Sequence, residues 1–255
     1  MEARSGNRRR RSSLRHSSAY FPGRRLGRGC RPADQPVVFA FYKPKPMITD
    51  LQKGGMGDVA RRMAAGGPLP KPVGQLDRNT TGLMLFTCCG RLTEHLNNHV
   101  PKTYRVWYLG ASGEGIKPRL ELSDAEVETL QAGVLLQREQ RHARFEAVVR
   151  RGGEELPAFA RPLGAQVRKF RFCADVTIRC GAFHVVKRLF DAVGASVSEL
   201  QRIRVCDLSL EDTGLESPGD FCELSPSQTR LLWGDCPCRS RGASPSRDGD
   251  GAGEE

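Results

Sequence analysis

No apolar run in this 255-residue chain approaches eighteen residues, which excludes a membrane-spanning helix. None of its nine cysteines forms a C-x-x-C pair. Cys236-Pro237-Cys238 lies in a Pro-, Gly- and Ser-rich stretch without a matching His/Cys pair, which argues against a zinc site. Several other cysteines fall inside apolar segments, where Cys behaves as a small hydrophobe. Free thiols in a reducing compartment are therefore expected.

Acidic residues are nearly missing from the front of the chain. Residues 1–36 carry ten Arg, no Lys, and only Glu2 and Asp34 against them. The remainder holds 30 basic and 27 acidic residues, so most of the net charge of +11 sits in the arm. A basic arm ahead of a mildly basic body suits a polyanionic partner. An organelle transit peptide is the favoured reading of the arm, because Arg and Ser abound and acids are scarce. It would direct the chain to a mitochondrion or chloroplast. The alternative is a disordered Arg-rich RNA tether on a protein of the cytoplasm or nucleus. Glu2 and the Arg8–Arg11 cluster lean toward that alternative.

What is present is concentrated in Gly74–Thr87, GQLDRNTTGLMLFT. It sets one carboxylate, Asp77, in a polar turn and follows it with the apolar run Gly82-Leu83-Met84-Leu85-Phe86. That run reads as a buried strand. A carboxylate in a turn against a rigid strand has fixed geometry and an accessible head. A plain Asx-turn, in which Asp77 or Asn79 caps Thr80 and Thr81, is the competing reading.

Residues 1–36 read as a disordered Arg-rich arm and 235–255 as a disordered low-complexity tail around a body at 37–234. Val37–Tyr42 is a β-prone segment ending at Pro44 and Pro46, and Thr49–Leu69 is a Gly-rich loop with a short helix near Val59–Ala64. A brief helix follows at Arg91–Asn97, then a strand at Tyr104–Leu109 with Tyr104, Val106 and Tyr108 on one face. Ser123-Asp124-Ala125-Glu126 forms a capping box, backed by an apolar stripe of Val127, Leu130 and Val134. Phe145–Val149 and Phe170–Ile178 alternate as half-buried strands. His184–Val193 places Val185, Val186, Leu189, Phe190 and Val193 on one helical face, with Gly194 as a stop. Arg202–Leu210 returns as a strand. Strands mixed with short helices, without regular βαβ units, predict an α+β domain with a long, mixed, mostly antiparallel sheet.

The Asp77 motif resembles the G-R-L-D-x-x-T-x-G-L-L-L-x-T pattern of the RsuA-type ribosomal RNA pseudouridine synthases. Three further blocks match in the family's order: Tyr42-Lys43-Pro44, Lys102-Thr103-Tyr104-Arg105-Val106, and His184–Phe190 with Ala192-Val193-Gly194 and Leu200-Gln201-Arg202. The resemblance spans residues 37–232. It implies a sheet divided into two subdomains around an active cleft. The implied reaction breaks the N1–C1′ bond of a uridine, turns the base and rejoins it through C5. That chemistry needs no redox step, phosphate donor or metal, so no cofactor is expected, and the partner is RNA, with rRNA favoured. A monomer is expected.

By the same resemblance, Asp77 is the nucleophile or base, Lys187 its cationic partner, and Tyr104 the ring that stacks on the target base and assists loss of the C5 proton. Read from spacing alone, Lys187 and Arg188 could equally be a solvated helix face, and Tyr104 a core aromatic. Lys43, Thr81, Lys102, Arg188 and Arg202 are the expected RNA contacts, although isolated lysines are usually plain surface. Thr80 and Thr81 are expected to hold the Asp77 loop through their hydroxyls. His184 matches a family position and reads as a packed histidine or an RNA contact.

Three positions depart from the family: Gln75 replaces an Arg, Cys180 a Glu, and Val185 a Gln. They motivate a rival reading, a catalytically weak or inactive RNA-binding or ribosome-assembly protein of the same fold. Many members also begin with a small helical RNA-binding domain, and 36 Arg-rich residues are too few and too poor in apolar residues to build one. Recruitment would then come from the cleft, the arm or another protein.

Overall fold

The computed structural model describes residues 36–52, 55–109, 121–155 and 170–233. The expected arm (1–36) and tail (235–255) lie outside these residues, apart from Pro36. Strands are β1 (Val38–Lys43), β2 (Lys71–Val73), β3 (Thr81–Thr87), β4 (Lys102–Leu109), β5 (Val134–Leu136), β6 (Arg141–Ala143), β7 (Ala147–Glu155), β8 (Phe170–Ile178), β9 (Ser196–Val205), β10 (Leu208–Ser209) and β11 (Phe221–Glu223). Helices are α1 (Met56–Ala64), α2 (Gly90–Asn98), α3 (Asp124–Ala132), α4 (Val185–Ala192) and α5 (Pro226–Leu231).

Among the described residues nine strands form one sheet in the order β11-β1-β3-β9-β4-β8-β7, with β2 on β3 and β10 on β9. Every pairing is antiparallel except β3 with β9. The α+β, mostly antiparallel architecture is as the residue pattern predicts. The apolar run of the Asp77 motif becomes β3, buried along its whole length between two cores. One core packs α2 and the C-terminal segment on β1 and β3; the other packs α1 on the opposite side of the same strands. A third core lies under α3 and α4 against β4, β8 and β9.

The two halves of the sheet meet where β3 runs beside β9 for only two residue pairs, Thr81 with Gln201 and Gly82 with Arg202. Gly82 makes this approach possible. Its φ is +105°, and a Cβ there would lie 2.2 Å from the Arg202 carbonyl oxygen. Only glycine tolerates both conditions.

Two local expectations are corrected. Val134 does not continue the α3 stripe, because Gly133 ends the helix and Val134 opens the β5–β6 hairpin. The strand expected over Arg202–Leu210 begins at Ser196 and stops at Val205, where Cys206 takes φ +51° and reverses the chain into β10.

Candidate active site

Asp77 sits in the short loop between β2 and β3, and the loop is held from below. The Thr80 amide donates to the Asp77 carbonyl at 3.0 Å, closing the turn through backbone. Lys43, the last residue of β1, is fully buried and points its ammonium into this turn. It donates to the carbonyls of Thr80 (2.8 Å), Asp77 (3.0 Å), and Arg78 and Pro44 (both 3.3 Å). Burial pushes the Lys43 pKa down to about 8, against the opposing pull of the Asp77 charge. Thr49 secures the other side, its hydroxyl donating to the Leu76 carbonyl at 2.8 Å and lying 3.2 Å from the Leu76 amide, from which it accepts.

Because backbone groups close the turn, the Asp77 carboxylate is released from turn-making, and the Asx-turn reading does not hold. Its two oxygens face α4. Lys187 donates from Nζ to Oδ2 at 2.9 Å, and His184 Nε2 lies 3.3 Å from Oδ1. The amphipathic pattern of α4 explains this placement: Val185, Val186, Leu189 and Phe190 are buried, which turns Lys187 toward the β2–β3 loop. His184 precedes the helix with φ +51°, a left-handed conformation that swings its ring back over the cleft.

These groups line a cavity of about 570 Å³. Tyr104 forms part of its wall while packing against two of the three cores, so it is both a core aromatic and a cleft residue. Asp77, Tyr104 and Lys187, which come from three distant segments, thus share one cleft. Among the described residues Asp77 is the one carboxylate in a wall that also holds Lys102, Arg141, Arg179, Lys187 and Arg202. Such a wall favours a polyanion.

The expected RNA contacts divide. Lys102 lines the cavity, with Nζ 3.3 Å from the Asn97 and Val100 carbonyls. Burial, with the charges of Arg202 and Arg179, lowers its pKa to about 8. Arg202 reaches the wall but is almost wholly buried, donating from Nε to the Leu83 carbonyl at 2.7 Å, so it ties β9 to β3. Lys43, Thr81 and Arg188 do not line the cavity. Lys43 is consumed by the carbonyls under the loop. Thr81 is buried, with its hydroxyl 3.5 Å from the Leu200 carbonyl. Arg188 turns to the β5–β6 connection, where Glu139 accepts from it at 2.8 and 3.0 Å. The expectation for Thr80 is corrected: its buried hydroxyl finds no partner among the described residues, and the residue holds the loop by backbone alone.

Residue-by-residue reading missed Thr49, Arg141, Arg179 and Phe183. Each is an ordinary surface or loop residue in its own segment, and only the tertiary arrangement brings it to the site. Cys180, one of the departing positions, lines the cavity with Arg141 Nη2 at 2.8 Å from its sulfur. Among the described residues no group of three or more His, Cys, Asp or Glu side chains could hold a metal ion. No helix among them is long and apolar enough to cross a membrane.

Comparison with known proteins gives this geometry a context. The sequence pattern of the family described as RNA pseudouridylate synthase matches residues 37–192. The chain is 30% identical over 207 residues to "Ribosomal large subunit pseudouridine synthase B" of Bacillus subtilis, covering 78% of this chain and 72% of that protein. It is 32% identical over 206 residues to the protein of the same name from Escherichia coli K12, of whose length it spans 59%. A solved structure described as "Crystal structure of pseudouridylate synthase" superposes with a TM-score of 0.57 at 23% identity, over 78% of this chain and 74% of that one, and shares the fold. The chain belongs to the RNA pseudouridylate synthase family.

Proposed function

We propose that this protein is an RsuA-type pseudouridine synthase that isomerises a specific uridine, most directly one in ribosomal RNA. The observation that carries the reading is the Asp77 carboxylate held by Lys187 at 2.9 Å in a cation-lined cleft beside Tyr104. The ribosomal substrate rests on the two relatives named above and on the motif resemblance.

The sequence of events follows from the groups present. A nucleotide leaves its helix at a cost of a few kcal/mol, which stacking of about 1–3 kcal/mol on Tyr104 offsets. The Asp77 carboxylate then acts at the sugar, either attacking C1′ or removing a sugar proton. Both of its oxygens are engaged in the free protein, so one contact must yield as the sugar arrives. His184, with the longer contact at 3.3 Å, is the group that yields, while Lys187 keeps the carboxylate aimed. The N1–C1′ bond breaks and the uracil turns against Tyr104; the C5–C1′ bond forms as the Asp77–C1′ bond breaks (or as the abstracted sugar proton returns), and the C5 proton is lost while N1 takes one up. The product has the composition of the substrate, so no co-reactant is consumed.

The rival reading, an RNA-binding protein without turnover, is favoured by one observation. Cys180 occupies the cavity wall at the position where the resembled family pattern has Glu, and Arg141 faces its thiol. Incubating the protein and its Asp77→Asn variant with rRNA, then mapping pseudouridine chemically, separates the two. Turnover by the first protein and none by the variant is the expected result; RNA binding with no modified site by either selects the rival.

For residues 1–36 we propose an organelle transit peptide, with 37–234 as the catalytic domain. A mature N-terminus near residue 37 in isolated organelles is the expected finding. An intact arm in the cell, whose deletion flattens the salt dependence of RNA binding, would instead make it a tether.

A further inference from the structure

Phe183 is more exposed than any other large apolar side chain among the described residues, at 58%. A lone exposed aromatic means little by itself. This one is fixed, and it lies on the wall of the Asp77 cavity. Its ring stacks on that of His184 with centroids 3.7 Å apart and planes 17° from parallel. Its carbonyl accepts from Arg188 at 3.3 Å, and Arg188 is clamped in turn by Glu139. The exposed side chain of Arg138 places its guanidinium carbon 5.3 Å from the centre of the Phe183 ring. A series of flat groups therefore runs outward from Asp77: imidazole, phenyl, guanidinium.

We propose that Phe183, backed by His184, is a stacking subsite for the nucleobase next to the isomerised uridine, the exposed Arg138 side chain leaving the outer face of the ring as the base takes its place. The inference rests on the RNA substrate proposed above. A nucleotide placed with its sugar at Asp77 puts its neighbour at the mouth of the cavity, where this ring stands. Every base offers a π-face, and the guanidinium beside the ring meets the accompanying phosphate, so the subsite suits single-stranded RNA better than an apolar protein surface. It selects for an unstacked neighbour and so restricts the enzyme to uridines in open segments.

Base stacking on one aromatic is worth a five- to about 150-fold change in affinity. Phe183→Leu keeps apolar bulk but loses the face; Phe183→Trp keeps the face. The first test needs no turnover. A single-stranded RNA nonamer with a central uridine and 2-aminopurine on its 5′ or 3′ side is titrated with full-length protein. Fluorescence quenching at one of the two positions is expected with the wild type and Phe183→Trp, and its loss with Phe183→Leu. In turnover on a fragment containing the mapped uridine, Phe183→Leu should lower kcat/KM five- to 150-fold through KM. Removing the flanking base should cost the wild type that factor and the Leu variant nothing. Equal quenching by wild type and Phe183→Leu overturns the proposal, as does an abasic penalty that persists in the variant. If no RNA is modified but quenching depends on Phe183, the enzyme reading fails and the subsite stands.

Discussion

Replacing Lys43 with methionine preserves side-chain length and removes the ammonium on which the Asp77 turn is built. Its three protons serve four carbonyls between 2.8 and 3.3 Å, in a site with no solvent exposure. A hydrogen bond to a charged group contributes about 1.5–3 kcal/mol, and each buried carbonyl left unpaired costs about 1–3 kcal/mol. Against this, the substitution relieves the cost of burying an ammonium, the same cost that drives the Lys43 pKa to about 8. A net loss of about 3 kcal/mol follows, or roughly 6–12 °C in Tm for a body of this size. Calorimetry of the two proteins measures it. The Asp77 carboxylate would shift with its backbone, and a displacement of about 1 Å costs on the order of 10²-fold in rate.

The pH dependence gives a second reading of the same residue. Its folded pKa of about 8 lies below the ordinary 10.5. Below pH 8 both states hold the proton and the group imparts no slope. Between about 8 and 10.5 only the unfolded chain retains it, so its contribution to stability rises with pH. The wild type should therefore gain on Lys43→Met across that window. A variant that melts within about 1 °C of the wild type, with turnover intact, would refute the claim that this lysine holds the turn.

Lys187→Met should lower kcat by about 10²-fold with an unchanged circular dichroism spectrum, since the side chain is partly exposed and its loss misplaces only the carboxylate. Gly82→Ala puts a Cβ 2.2 Å from the Arg202 carbonyl at φ +105°; it should lose soluble, folded protein or melt well below the wild type, as a thermal scan would show. Lys102 sheds its proton near pH 8, so RNA affinity should fall between pH 7 and 9 and the log–log salt slope should shrink by about 0.7. Titrations of Lys102→Met should lack that pH step.

The parts of the structure legible in the sequence are those set by local pattern. An apolar run bounded by turn residues predicts β3, a Ser–Glu capping box predicts the start of α3, and helical spacing of Val185, Val186, Leu189 and Phe190 predicts which way α4 faces. The direction of α4 in turn sends Lys187 to the cleft. Illegible were features decided by long-range geometry. A lysine at a strand end reads as surface, and nothing local says that three carbonyls from another loop will enclose it. The turn at Cys206 lacks the glycine that usually marks positive φ, so β9 and β10 read as one strand. Arg141 and Arg179 come to the cavity through the β5–β6 hairpin and the end of β8, a convergence that periodicity does not encode. The glycine that lets β3 approach β9 was visible as a residue but not as a contact.

The central claim is that one carboxylate, aimed by Lys187 in a cation-lined cleft, isomerises a uridine in RNA. Its most direct test is a nucleotide-resolution pseudouridine map of rRNA treated with the purified protein, beside a map made with Asp77→Asn. A single new pseudouridine that appears with the first and is absent with the second is the predicted result. A site modified equally by both proteins would contradict the account.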